Sequence, residues 1–384
     1  MRFWISAGLA LALGLAGCAT TTHGPHSSVT PVPIPSVRPP PPASSPAPAS
    51  AETRSAGPVS TAPASPFDSL VGWAQDDHAA ALTAFAAGCG AARDLAEERV
   101  CRLARTQGPF DEATARDFFE KNFRPEPLSA PGLLTAYFTP VYEARDHEGG
   151  EFVAPVRPRP VDLPQQHSGG SPAPAYADRS LIECRPAHDA LAWMRPEDLF
   201  FLQIQGSGVL TFQDGSQLRA VFSGANGAPF LGLAAPMRRA GLLPDADTSA
   251  DTIHAWLAAN RGPKAEAVMR LDRRYVFFRL EPDDGIEPSG AAGRRLIPGR
   301  ALAVDPTRHG MGELLWVDAT APALAGAFPT YRRLAMALDT GGAIKGDVRA
   351  DLYLGRGPLA GLEAGRVRHV LKLYRFTPIV DPGS

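Results

Sequence analysis

Apolar positions along the chain fall into three regimes. From Phe3 to Leu15 almost every residue is apolar, which suits a secretory leader and is too short for an ordinary membrane-spanning helix. From residue 19 to about 66 there is no periodicity. Beyond it, Leu70, Trp73, His78, Leu82 and Phe85 recur near helical spacing behind an Asp68-Ser69 cap, and residues 112–123 predict a second helix with Phe118, Phe119 and Phe123 on its apolar side. Past residue 132 the period shortens. Runs of Val, Leu, Phe and Tyr at 133–138, 200–205, 208–213, 275–280, 301–304, 314–317, 333–338, 351–354 and 367–374 predict strands, with helices near 231–240 and 249–270. Helices followed by many short strands predict a mainly β protein of barrel-like units.

Composition refines the first two regimes. The net charge of −2 over 384 residues excludes a broad electrostatic grip on nucleic acid. Leu15-Ala16-Gly17-Cys18 is similar to a bacterial lipobox, so residues 1–17 read as a lipoprotein signal peptide and Cys18 as an acylated mature N-terminus; the alternative is an ordinary leader with a chance cysteine. Several acyl chains on one residue suffice for stable anchoring. Ala19 stands where an aspartate would suggest inner-membrane retention, so the expected address is the periplasmic face of the outer membrane. Thirteen of the 39 prolines lie between residues 19 and 66, and residues 18–66 read as a disordered Pro/Ala/Ser-rich tether. Cys89 and Cys101 flank a short helical stretch, and spacing alone leaves their pairing open. No Cys/His cluster has metal-ligand spacing, so neither a metal nor a cofactor is expected.

Candidate chemistry concentrates near the C-terminus. Strand alternation from Arg333 places Leu334, Met336 and Leu338 on one face and Ala335, Ala337 and Asp339 on the other. A Gly341-Gly342 loop follows, with Lys345, and then Ala350-Asp351-Leu352-Tyr353-Leu354, where Asp351 and Tyr353 share the face opposite the two leucines. Two carboxylates thus meet near one glycine-rich loop. A single Asp-Thr-Gly copy is too few for an aspartic-protease dyad in one chain, and no phosphate-binding loop motif is present. In Phe200-Phe201-Leu202-Gln203-Ile204-Gln205-Gly206-Ser207-Gly208, read as a strand, Phe201, Gln203 and Gln205 share one face. Amides beside an aromatic suit a sugar groove, although an exposed strand face would look the same. Gly224-Ala225-Asn226-Gly227 reads as a tight turn.

The Gln203-to-Gly208 and Leu338-to-Gly346 motifs, with Asp351-Leu352-Tyr353, Leu134-to-Pro140, Ala225-Asn226-Gly227 and Leu296-to-Asp305 in the same order, resemble the MltA family of membrane-bound lytic murein transglycosylases. The resemblance covers residues 67–384. It implies a double-psi β-barrel with helices, carrying a second inserted β-barrel and holding a glycan strand in the groove between them. The main domain is expected at 67–140 plus 274–384 and the insert at 141–273. The aspartates of its "3D" domain fall on Asp305, Asp339 and Asp351. Asp351 takes the family's catalytic acid/base role, with Asp339 and Asp305 orienting and tuning it. Tyr137, Gln203, Gln205, Ser207, Asn226, Lys345 and Tyr353 become substrate-binding residues, Lys345 facing the glycan rather than Asp351. The sequence departs from the family pattern at Ala136, Ala225, Ala228 and Phe230, and Asp272-Arg273-Arg274 stands where Asn-Pro-Ser is usual.

The implied reaction cleaves the β-1,4 bond between N-acetylmuramic acid (MurNAc) and N-acetylglucosamine (GlcNAc) in peptidoglycan and leaves a 1,6-anhydro end. Expected partners are peptidoglycan strands, the outer membrane through the lipid, and cell-wall synthesis proteins of unspecified identity. A non-catalytic peptidoglycan-binding scaffold and a two-carboxylate glycoside hydrolase are the alternatives.

Overall fold

Two 3-10 turns, Pro66–Ser69 and Trp73–Gln75, open the described chain where the sequence predicts one continuous helix. Gly72, left-handed at φ 86°, breaks the run, and the helix starts only after Asp77, whose side chain caps Ala80 N–H. The computed structural model describes residues 65–91, 94–108, 110–164, 176–244, 247–321 and 328–380. The leader, Cys18 and the Pro-rich segment to residue 64 lie outside the described residues.

Three aspartate-capped helices come first: α1 (His78–Gly88), α2 (Leu95–Gln107) and α3 (Glu112–Asn122). Strands β1 (Phe123–Pro127) and β2 (Gly132–Thr139) follow. A long excursion holds β3 (Val141–Glu143), β4 (Ala154–Val156), α4 (Arg179–Glu183), β5 (Ala192–Met194), α5 (Pro196–Gln205), β6 (Gly208–Thr211), β7 (Gln217–Ala225), α6 (Ala234–Arg239), α7 (Ala250–Ala259), α8 (Pro263–Met269) and β8 (Val276–Pro282). The chain then returns with β9 (Ala301–Val304), β10 (Leu314–Thr320), β11 (Thr330–Thr340), β12 (Arg349–Arg356), α9 (Gly357–Ala364) and β13 (His369–Pro378).

Strands β13-β10-β11-β9-β12-β2 pair in that order, and β2 pairs back onto β13, closing a six-stranded barrel with β1 alongside β13. The ring is mixed: β9–β11 and β2–β12 are parallel and the other pairs antiparallel. This is the expected double-psi barrel. Leu134, Leu302, Val304, Leu315, Val317, Ala337, Leu352 and Leu371 fill its interior. Gly132 is required where β2 meets β12, because a Cβ there would lie 1.5 Å from Val348 O.

Helices α1–α3 pack on the outside of the barrel through an aromatic cluster of Trp73, Phe85, Phe119, Phe123, Trp316 and Phe376. A buried ion pair fixes this register. Arg300 donates to both Asp76 oxygens at 2.9 Å, and Asp76 Oδ2 also accepts from Leu334 N–H at 2.9 Å. Removing either partner strands a charge in the core.

The insert is also a barrel, closed more lightly. Strands β3-β6-β7-β8 form one sheet and β4-β5 a hairpin. Single bridges, Arg145 to Trp193 and Pro158 to Phe278, join the hairpin to the sheet at both edges. Strand β8 pairs with β7, so Val276–Pro282 joins the same sheet as β3 and β6.

The structure joins Cys89, the C-cap of α1, to Cys101 within α2, with Cα atoms 5.6 Å apart, and leaves Cys184 free and exposed. Closing so short a loop typically contributes about 2–3 kcal/mol. Replacing both cysteines by serine is therefore expected to lower urea-unfolding stability by about that amount; an unchanged midpoint would contradict it.

Candidate active site

One row of side chains crosses four barrel strands. Thr135 on β2 is in register with Asp351 on β12, Asp351 with Ala303 on β9, and Ala303 with Asp339 on β11. Adjacent strands lie about 4.8 Å apart, so the aspartate Cα atoms are about 10 Å apart with only the Ala303 methyl between them. The row faces outward from the barrel, opposite to Leu134, Leu302 and Leu352.

Asp339 reaches this face only through a bulge. Unbroken alternation groups it with Ala335 and Ala337, which the structure places inside the barrel. The register slips between Ala337 and Asp339, so Leu338 is extra and Asp339 turns outward beside Ala303.

Above the row lies a groove of about 750 Å³ between the two barrels. The main barrel supplies Tyr137, Ala303, Asp339, Asp351, the strap 288–293 and the glycine-rich loop 340–344; the insert supplies Gln203 to Ser207, β7, β8, Phe230 and Arg274. The strap seals Asp339. Ala291 N–H donates to its Oδ1 at 3.0 Å, and Gly290 sits so close that a Cβ would meet Leu338 O at 2.3 Å.

The two carboxyls differ in their partners. Burial pushes both above the ordinary aspartate range. Asp339 accepts three hydrogen bonds, from Ala291 N–H, Thr340 N–H at 2.9 Å and Tyr137 OH at 2.9 Å, and all three oppose the rise. Burial and Asp339 hold Tyr137 well above its usual value, so it stays a donor. Asp351 accepts only from Thr135 Oγ1, at its Oδ1, and Oδ2 has no partner among the described residues. Arg349 braces Thr135 at 2.9 Å and opposes the rise at Asp351, while the charge of Asp339 adds to it.

Several expected site residues sit elsewhere. The Gln203 segment is the helix α5, not a strand: Pro196 opens it, acidic Glu197 and Asp198 fill its first turn, and Gly206 at φ 81° ends it. Its C-terminus still delivers Gln205 and Ser207 to the groove, half-buried. Gln203 is buried, donates to Val276 O at 3.3 Å, and leaves its Oε1 unpartnered at the groove wall. Asn226 turns inward. Its amide accepts from Tyr275 N–H at 2.9 Å and Ala228 N–H at 3.3 Å and donates to Ala177 O at 3.0 Å and Arg273 O at 2.8 Å, so it is an anchor with nothing left for a ligand.

Tyr353 is buried beneath the row, its hydroxyl between Thr139 and Glu287. Asp305 does not line the groove. Although burial opposes it, hydrogen bonds from Gly346 N–H, Thr307 Oγ1 and Thr307 N–H hold its carboxyl down at about 2, with Lys345 3.8 Å away. Lys345 therefore pairs with Asp305 rather than lining the groove, and the two fix the far end of the glycine-rich loop. Thr135, Arg349, Ala303 and the strap 288–293 escaped the sequence reading, because only register and a long-range fold reveal them.

Comparison with known proteins agrees with this geometry. The model of the MltA-specific insert domain matches residues 133–279, and that of the 3D domain matches residues 300–377. The crystal structure of a membrane-bound lytic murein transglycosylase from Agrobacterium tumefaciens is 30% identical, covers 81% of this chain and 96% of its own, and superposes with a TM-score of 0.70. The chain belongs to the MltA family. A membrane-bound lytic murein transglycosylase A of Vibrio cholerae is 28% identical over 247 residues, 64% of this chain and 65% of the relative. The chain thus spans a little under two thirds of that curated relative. Escherichia coli MltA, crystallised with bound chitohexaose, shares the fold at 24% identity with a TM-score of 0.60, over 74% of this chain and 83% of its own. In MltA terms the groove lies at the seam of the two domain models: Tyr137, Gln205 and Ser207 fall in the first, Ala303, Asp339 and Asp351 in the second.

The raised carboxyl has a thermodynamic consequence. As pH climbs past about 4, the unfolded chain releases a proton that folded Asp351 retains, so folding stability declines until the folded group also titrates. Asp351→Asn carries no such loss. It is expected to match the parent near pH 3 and to be the more stable protein at about pH 7. Thermal unfolding across that range checks this; identical pH profiles would contradict it.

Proposed function

We propose that this chain is a lytic transglycosylase that cleaves the β-1,4 bond between MurNAc and GlcNAc in peptidoglycan and closes a 1,6-anhydro ring on MurNAc. The observation that carries the reading is Asp351: a desolvated carboxyl on the groove floor, one oxygen held by Thr135 and the other free. Membership of the MltA family supports the substrate class.

Protonated Asp351 donates from its free oxygen to the glycosidic oxygen as the C1–O bond breaks, and GlcNAc leaves as an alcohol. The MurNAc C6 hydroxyl attacks C1, and its proton passes to the Asp351 carboxylate. Acid and base roles fall in sequence on one group, and no water enters. A conventional glycosidase needs a second carboxylate to activate water or to act as nucleophile. Asp339 is in the right row, but three donors occupy its oxygens. Those donors favour its ionised form, and its charge helps Asp351 hold a proton. Gln205 and Ser207 offer hydrogen bonds to sugar hydroxyls and N-acetyl groups, and Tyr137 and Phe230 offer rings. The same reading places the body at the periplasmic face of the outer membrane, anchored through an acylated Cys18.

Asp351→Asn is expected to cut release of anhydro-ended muropeptides from sacculi by at least about 100-fold while the variant folds. Mass analysis of the parent's products decides the reaction: anhydro ends support it, whereas reducing ends would assign a two-carboxylate hydrolase and no products a scaffold. Asp339→Asn is expected to shift the alkaline limb of the pH–rate profile to lower pH, because Asp351 then loses its proton more readily; a shift the other way would contradict the pairing.

A further inference from the structure

Four arginines line the groove, and three of them donate to protein acceptors. Arg179 donates to Asp272 O, Arg274 O and Glu183. Arg219 pairs with Asp284, and Arg279 with Glu281 and Phe222 O. The Arg274 guanidinium has no hydrogen-bond acceptor among the described residues. The neighbouring Asp272 carboxylate accepts from the backbone N–H groups of Leu231 and of Arg274 itself, so it acts on the guanidinium through charge and not through a hydrogen bond. Arg274 is half-buried and lies against the glycine-rich loop, its Nη1 3.8 Å from where a Cβ on Gly342 would stand. Its charge is not consumed by the catalytic row, where Arg349 is the cation acting on Asp351.

A guanidinium half withdrawn from water with all five donors idle is unfavourable unless something pairs with it. Gly342, without a side chain, leaves that face of the guanidinium uncovered, since a Cβ there would stand in van der Waals contact with it. We propose that Arg274 binds a carboxylate carried on the lactyl ether of a bound MurNAc unit, which rests on the function proposed above. The carboxylate has two sources: the free lactyl group of a strand stripped of its peptides, or an acidic group of the stem peptide. Either is planar and matches the guanidinium fork. Arg274 thereby becomes a specificity residue, separating murein from uncharged glycans of the same backbone.

Binding measured in an Asp351→Asn background, without turnover, tests this with three probes: amidase-stripped glycan strands, stem-bearing strands, and chitohexaose, which has no carboxylate. Adding Arg274→Gln is expected to weaken binding of carboxylate-bearing strands by about ten- to a hundredfold, with chitohexaose unchanged and Arg274→Lys intermediate. Loss on stripped strands alone supports the free lactyl group as the source, since a stem-bearing strand has that carboxyl tied up as an amide; loss on stem-bearing strands alone supports the stem, and loss on both supports a site that takes either carboxylate. Unchanged affinity for both, or an equal loss on chitohexaose, would overturn the assignment. A parent that binds none of the three overturns the proposed function, and this inference with it.

Discussion

A carboxyl group keeps its proton above the ordinary aspartate range where water is kept off its ionised form. In this protein that exclusion depends on the insert standing over one row of the main barrel. Asp351 belongs to β12, but the groove that desolvates it exists because α5, β7 and β8 of a different barrel form the opposite wall. Neither barrel alone makes the site. The second condition is spacing: Asp351 and Asp339 flank Ala303 across β9, and a larger residue there would fill the groove floor between the two carboxyls.

The remaining architecture keeps that row in place. The Arg300–Asp76 pair locks the N-terminal segment to β11, the strand that carries Asp339. The strap through Gly290 and Ala291 presses on the same aspartate from outside. At the other end, Asp305 grips Gly346 and so fixes the loop that begins at Gly341. The low value of Asp305 and the raised values of Asp339 and Asp351 follow from one contrast. Asp305 is saturated with donors and close to an ammonium group, whereas the other two lose more to burial than their partners return.

Much of the barrel was legible in the sequence, because β9–β13 stand out as short runs rich in Leu, Val and Ala bounded by Gly, Pro and Asp, whether they alternate or are buried on both faces as β9 and β10 are. What failed did so for identifiable reasons. Phe200, Leu202 and Ile204 alternate as a strand would, yet Pro196, the acidic first turn and Gly206 are helix signals, and the helix prevailed. The bulge at Leu338 leaves no mark in the residue types, so the facing of Asp339 could not be read from alternation. Asn226 stands out in sequence for a structural reason, since its amide satisfies four backbone groups at the mouth of the insert. Motif resemblance located the aspartates and singled out Asp351; it could not show that Asp305 lies outside the groove, held by Thr307 and Gly346, because that depends on the fold.

The central claim is that Asp351 remains protonated above the range of an ordinary aspartate. The most direct measurement is NMR titration of its side-chain carboxyl carbon in the folded protein, assigned by its loss in Asp351→Asn. The account predicts a midpoint clearly above the usual value of about 4. A midpoint at or below that value would contradict it.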